Sequence, residues 1–165
     1  LTAGLKSAKR VAVIGIGSEL RADDAAGVLL VRSLDRNRAG KRDLAGKGPE
    51  LKAFDGSTAP ENITGEIIRF KPTHIIMVDT AEIRQKPGAV LLLGAKDLGE
   101  GVSFSTHKLP AKVLVDYFIK SLKCKVLFIG IQPRTIAFGK AVSKEVKDSV
   151  KEVSAAIIGA AKARV

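Results

Sequence analysis

The chain has 165 residues, 45% of them hydrophobic, and a formal net charge of +11, a length and composition that suit one globular domain spanning residues 1–165 with an ordinary core. No apolar stretch approaches the roughly 18 to 20 residues that a membrane helix needs, so membrane insertion is not expected. The positive charges are dispersed and, towards the C-terminus, mixed with Glu145, Asp148 and Glu152; with one Tyr and no Trp there is little surface for base stacking, which disfavours a nucleic-acid partner and leaves an acidic protein partner as the better reading.

Taken in chain order, Leu1 to Arg10 has no apolar run behind its charges and reads as a flexible N-terminal extension. Val11 to Gly17 is short, uncharged and partly β-branched, as a central parallel strand buried on both faces should be. Asp23-Asp24 then opens a helix to about Arg36, with Val28, Val31 and Leu34 recurring every three residues and Leu29 and Leu30 widening the apolar surface. A strand from Leu51 to Phe54 ends at Asp55-Gly56, and Thr58-Ala59-Pro60-Glu61 has the form of a capping box for a helix to about Phe70. His74 to Val78 is a buried strand closed by Asp79, and Ala89 to Leu93 is a further strand after the turn-like Lys86-Pro87-Gly88. Pro110 starts a helix with Val113, Leu114, Tyr117, Phe118 and Leu122 on its apolar side, Val126 to Ile131 is a buried strand, and Val146, Val150, Val153, Ile157 and Ala161 mark a last helix from about Ser143 to Ala163. This order predicts an α/β fold: a single-domain three-layer sandwich with a mostly parallel, doubly wound sheet and helices on both faces. The single Cys124 lies in an apolar run and cannot form an internal disulfide, so it reads as a structural thiol of a soluble protein in the reducing cytoplasm.

In an open α/β sheet, ligands bind outside the carboxyl ends of the strands. Three side chains fall at or soon after such ends: Asp24, Asp79 and His107, the last in Ser105-Thr106-His107-Lys108. Two carboxylates and an imidazole meeting there could hold a metal ion; the rival reading is an ordinary helix cap and two ordinary loop residues. Gly15-Ile16-Gly17 after a strand has part of a dinucleotide fingerprint, but Leu20 stands at the third-glycine position and Asp23-Asp24 places negative charge where phosphate would lie. Asp23 reads as a helix cap, Asp55 as a strand-terminating turn residue or a support for a ligand, and His74 as structural. Gln132 stays open between a turn role before Pro133 and substrate contact.

Gly15-Ile16-Gly17-Ser18 with Asp23-Asp24-Ala25-Ala26-Gly27, Asp55 to Glu61, Val78-Asp79, Thr106-His107 and Gly130-Ile131-Gln132-Pro133 together resemble, in order and over nearly the whole chain, the hydrogenase maturation endopeptidases, in particular the hydrogenase 3 branch. Ser18 departs from the usual asparagine and Ala25 from a common glycine; neither is a ligand position. The resemblance implies a cytoplasmic aspartyl-type protease that removes a C-terminal extension from a nickel-iron hydrogenase large-subunit precursor after nickel insertion. It also implies that Asp24, Asp79 and His107 are both the catalytic and the metal-binding set, and that nickel arrives with the substrate, with no permanent cofactor. Metal polarisation of the scissile carbonyl or activation of water would then drive hydrolysis, with a carboxylate general base as the competing mechanism. Two other classes stay open: a noncatalytic module that binds metal or precursor, and a nucleotide-binding oxidoreductase using Gly15 and Gly17.

Overall fold

The computed structural model describes residues 1–39, 48–98, 103–104 and 111–162. Its centre is a six-stranded sheet: β1 (Arg10–Ile16), β2 (Glu50–Ser57), β3 (His74–Glu82), β4 (Val90–Gly94), β5 (Ser103–Phe104) and β6 (Lys125–Ile131). The main path runs β2-β1-β3-β6-β4, and β5 adds to the far end of β3. The pairs β1 with β2, β1 with β3 and β3 with β6 are parallel, whereas β4 lies antiparallel to β6 and β5 antiparallel to β3. Among the described residues five α-helices accompany the sheet: α1 (Thr2–Leu5), α2 (Ala26–Ala39), α3 (Thr64–Phe70), α4 (Ala111–Leu122) and α5 (Lys144–Lys162).

The strand alternation builds two cores, one on each face of the sheet. Val11, Val13, Ile76 and Val78 point to one side, where they meet Leu30 and Leu34 of α2 and Val150 and Ile157 of α5. Ala12, Ile14, Ile75 and Met77 point to the other, against Ile67 of α3 and Leu114 and Phe118 of α4. This is the expected three-layer α/β sandwich. A strand covered on both faces has no polar side to show, which is why β1 and most of β3 are continuously apolar. Among the described residues no helix is long and apolar enough to cross a membrane.

Several elements differ from the sequence reading for physical reasons. The segment Leu1 to Arg10 contains α1, and its Leu5 is buried in the core beside α5. The helix expected from Asp23 begins with a single 3-10 turn, Ala22–Ala25, before α2 takes over at Ala26. Thr58 to Glu61 forms no capping box: Ala59 is the N-cap of a 3-10 turn at Pro60–Ile63, without a side-chain cap bond, and α3 follows. The strand expected to close at Asp79 continues to Glu82 because β6 and β5 extend its ladder. Val113 and Tyr117 of α4, expected inside, are exposed, and the buried positions are Leu114, Val115 and Phe118. The helix is apolar over more than one stripe, so periodicity alone could not choose its inner face. Pro110 lies outside the described residues.

Asp23 is fully buried and acts at long range, where the sequence suggested a local cap. Its carboxylate accepts from the Arg134 amide at 2.8 Å, the Thr135 amide at 3.2 Å, and the Ser143 amide and hydroxyl at 2.6 and 3.0 Å. Ser143 Oγ in turn accepts from the Val146 amide in the first turn of α5. One carboxylate therefore ties the segment after β6 and the start of α5 to the turn before α2. Asp23→Ala would strand several inward-facing donors at once, and we expect it to lower the unfolding free energy by about 3 kcal/mol, read as a lower urea midpoint.

His74, at the start of β3, is buried, with Nδ1 3.1 Å from Thr73 Oγ1 and Nε2 without a hydrogen-bond partner. Burial, and secondarily the nearby Lys125 charge, lower its pKa from the ordinary 6.5. The unfolded chain therefore binds the proton more readily than the folded one, so the contribution to stability is lost as pH falls below 6.5 towards the lower folded value. The urea midpoint of the wild type should fall relative to that of His74→Gln between about pH 7.5 and 5.5; a constant difference would show that folding leaves the His74 pKa unshifted.

Candidate active site

The sheet path places β2 on one side of β1 and β3 on the other, so the chain reverses its direction of winding at β1. The crevice off the carboxyl ends of β1 and β3 is the switch point, where ligands of open α/β sheets bind. Asp24 and Asp79 both reach it. In the β1–β3 register Gly15 is opposite Val78, so Asp79 stands one residue past the paired segment, where β1 has left the ladder and β6 still continues, with Asp79 opposite Gly130. Asp24 comes from the 3-10 turn that follows β1.

Glycine makes this return possible. Gly17 has φ +139°, and a Cβ there would lie 1.7 Å from the Asp24 carbonyl oxygen. A Cβ on Gly15 would lie 2.1 Å from the carbonyl oxygen of Gly27 in the first turn of α2. Both glycines thus serve backbone-on-backbone packing that pulls the turn and α2 down onto β1. The space over them is filled by the chain itself, so they form no pyrophosphate cradle, which counts against the nucleotide-binding reading.

Asp24 and Asp79 meet around one hydroxyl. Thr80 Oγ1 lies 3.0 Å from Asp24 Oδ1 and 3.4 Å from Asp79 Oδ1. A hydroxyl has one proton to give, and the shorter distance assigns it to Asp24. Asp79 Oδ1 accepts instead from the Thr80 amide at 2.7 Å, and Asp24 Oδ2 from the Ser18 amide at 3.0 Å. Asp24, Asp79 and Thr80 are exposed by 1%, 2% and 0%. Among the described residues no Lys or Arg pairs with Asp24. With one hydrogen bond accepted by each oxygen, the buried Asp24 carboxylate keeps capacity for a further partner. Carboxylate oxygens joined by an imidazole would make a hard-to-borderline donor set suited to a divalent transition metal. His107, the third expected member, lies outside the described residues, among which no group of three His, Cys, Asp or Glu side chains could hold a metal ion.

Other polar residues near these strand ends have structural partners. Asp55 accepts from the Ser57 amide and hydroxyl at 2.9 and 2.8 Å at the end of β2, where the register with β1 shifts, and its second oxygen lies 3.6 Å from Arg32. Gln132 is buried; its Oε1 accepts from the Ile83 amide at 2.8 Å, and its Nε2 donates to Glu82 Oε2 at 3.0 Å and to the Pro133 carbonyl at 3.2 Å. It therefore braces the segment after β3. The Gln132 amide, and then the Arg84 N–H, hold Glu82 below the usual carboxylate pKa. Thr80 is the member that the sequence reading missed. The one available signal was a hydroxyl residue directly after Asp79 in a strand otherwise apolar on both faces, and that pattern is common wherever a strand nears its end.

Known proteins resemble this chain in both sequence and fold. The family model for hydrogenase maturation proteases of the HycI type matches residues 28–160, a span that contains Asp79 and His107 and begins just after Asp24. A putative hydrogenase maturation protease of Methanocaldococcus jannaschii is 34% identical over 143 residues, 87% of this chain and 83% of that protein. The hydrogenase 3 maturation protease of Escherichia coli K12 is 31% identical over 138 residues, 84% of this chain and 82% of that protein. The crystal structure of a NiFe hydrogenase maturation protease, HycI from Thermococcus kodakarensis, superposes with a TM-score of 0.82 at 26% identity, covering 98% of this chain and 97% of that one. With sequence likeness over most of its length and the same fold throughout, the chain belongs to the hydrogenase maturation proteases and is a peptidase.

Proposed function

We propose that this peptidase removes the C-terminal extension of a nickel-iron hydrogenase large-subunit precursor after nickel has been inserted, and that Asp24, Asp79 and His107 read the nickel the substrate brings. The observation that carries the reading is the buried pair of carboxylates around Thr80, at the switch-point crevice of a family member. Asp24 accepts one hydrogen bond per oxygen and so keeps acceptor capacity for a metal arriving on the substrate. Coordination by the two carboxylates and the imidazole would then fix the scissile peptide beside the site. Water adds to the peptide carbonyl, the C–N bond breaks, and the water proton passes to the leaving amine. Held by Asp24, Asp79 and His107, the substrate's metal would supply polarisation of the carbonyl or activation of the water; in the second reading an aspartate takes the water proton as general base. The proposed setting is the cytoplasm, where the precursor would be made and loaded, and no permanent cofactor is required.

The decisive experiment incubates the purified protein with folded precursor, with and without nickel, and weighs the products. We expect shortening of the nickel-loaded form alone. Intact nickel-loaded precursor would overturn the protease assignment for this substrate, and equal cleavage without nickel would overturn the recognition mechanism. Near-isosteric replacement tests the acidic pair: Asp24→Asn and Asp79→Asn should each fold yet lower kcat/KM by about 100-fold or more.

Thr80 is assigned as a positioning residue for these carboxylates. Thr80→Val keeps the shape of the side chain and removes the shared hydroxyl, and should reduce kcat/KM by about 10- to 100-fold. Thr80→Ser restores the hydroxyl and should recover most of that loss. Equal activity of the Val and Ser variants would remove the hydroxyl from the mechanism.

A further inference from the structure

The segment that delivers Asp24 also contributes to an exposed apolar surface. Leu20 and Phe138 are the most exposed of the large hydrophobic residues, at 64% and 74%. They lie on two separate stretches of chain that are tied together, since the Gly139 amide donates to the Leu20 carbonyl at 2.8 Å. The Asp23 amide also donates to the Thr135 carbonyl at 3.1 Å, while the Asp23 carboxylate holds Arg134, Thr135 and Ser143. Two apolar side chains are thus displayed on a braced support beside the candidate site.

Between Leu20 and Asp24 stands Arg21, whose Nε is buried and makes no hydrogen bond. No carboxylate among the described residues pairs with it. The contrast with neighbouring arginines is informative, because Arg32 pairs with Glu19 and Arg134 with Glu145. A half-buried guanidinium lacking an acceptor is an unmet demand for one, and a carboxylate answers it best. The chain's net charge of +11 adds a field that favours an acidic ligand over a basic one.

We propose that Leu20, Arg21 and Phe138 form the ledge that seats the precursor's C-terminal extension. An apolar side chain of the extension lies against Leu20 and Phe138, and a carboxylate of the extension bonds to Arg21. The inference rests on the protease reading above and adds to it a second point of contact outside the metal-reading residues. Continuity supports the assignment: Arg21 is three residues from Asp24 in the same short segment, which keeps the ledge close to the acidic pair. Binding energy gathered there acts on a part of the substrate remote from the scissile bond, and would appear mainly in KM.

The test measures steady-state cleavage of nickel-loaded precursor by the full-length wild type and by Phe138→Asp, Arg21→Gln and Arg21→Lys, alongside the Kd of each for intact precursor. Phe138→Asp and Arg21→Gln should each raise KM and Kd about tenfold while kcat stays within about twofold, with Arg21→Lys in between. Urea midpoints near that of the wild type verify that the exposed surface alone was altered. Unchanged KM and Kd in both Phe138→Asp and Arg21→Gln, with an active wild type, would overturn the ledge and leave the protease reading intact. A wild type that binds the precursor without cleaving it, and loses affinity in these variants, would do the reverse. Repeating the Arg21→Gln comparison on precursor whose extension has every Asp and Glu changed to Asn and Gln identifies the carboxylate. Loss of the Arg21 effect assigns it to a side chain, and persistence assigns it to the chain terminus.

Discussion

No side chain can stand between β1 and the turn that follows it. The carbonyl oxygen of Asp24 lies where a Cβ on Gly17 would be, and the carbonyl oxygen of Gly27 lies where one on Gly15 would be. That contact sets the height of the 3-10 turn above the sheet, and with it the position of the Asp24 carboxylate relative to Thr80 and Asp79. A substitution that lifted the turn by even a fraction of a hydrogen-bond length would leave β1, β3 and α2 well formed and still separate the acidic pair. Glycine is used here for close approach of backbone to backbone, where the sequence pattern alone had allowed close approach of backbone to phosphate.

Adjacent aspartates on that turn do opposite work. Asp23 directs its carboxylate to Arg134, Thr135 and Ser143, spending its acceptor capacity on the protein's own amides and hydroxyl. Asp24 accepts one bond per oxygen, from Ser18 and Thr80, and retains capacity for a further partner. Burial is nearly identical for the two. Their difference lies in how completely each is satisfied, and under-satisfied buried polar groups are where functional demands concentrate.

Much of this was legible in the sequence because the strands are buried on both faces. β1, β3 and β6 stood out as uncharged apolar runs, and α2 and α5 as apolar stripes at helical spacing, so the alternation that implies a doubly wound sheet could be read directly. Asp24 and Asp79 were found through strand ends and ordered motifs. What failed was whatever depended on a partner distant in the chain. Asp23 looked like a local cap because its true partners lie more than a hundred residues away, and Gln132 stayed undecided until its contacts with Ile83 and Glu82 were known. β5 has two residues and no periodicity to detect. Thr80 was invisible for the same reason as Asp23: a hydroxyl acquires meaning only once two carboxylates from different segments converge on it.

The proposed reading gives the buried acidic pair a thermodynamic role that a resident metal site would not need. Two carboxylates in a water-poor crevice, with a single hydroxyl between them, leave most of a metal's coordination unfilled, so affinity for the free ion would be low. Nickel already held by its own ligands in a precursor carries the rest of the coordination with it, and its attraction to the pair is then realised only in the complex of the two proteins. Under this proposal the state of the substrate's metal, and not its sequence alone, would set whether the peptide is presented. A site built this way should remain incomplete until the correct substrate arrives, and the close glycine packing beneath Asp24 is what keeps the incomplete half in place.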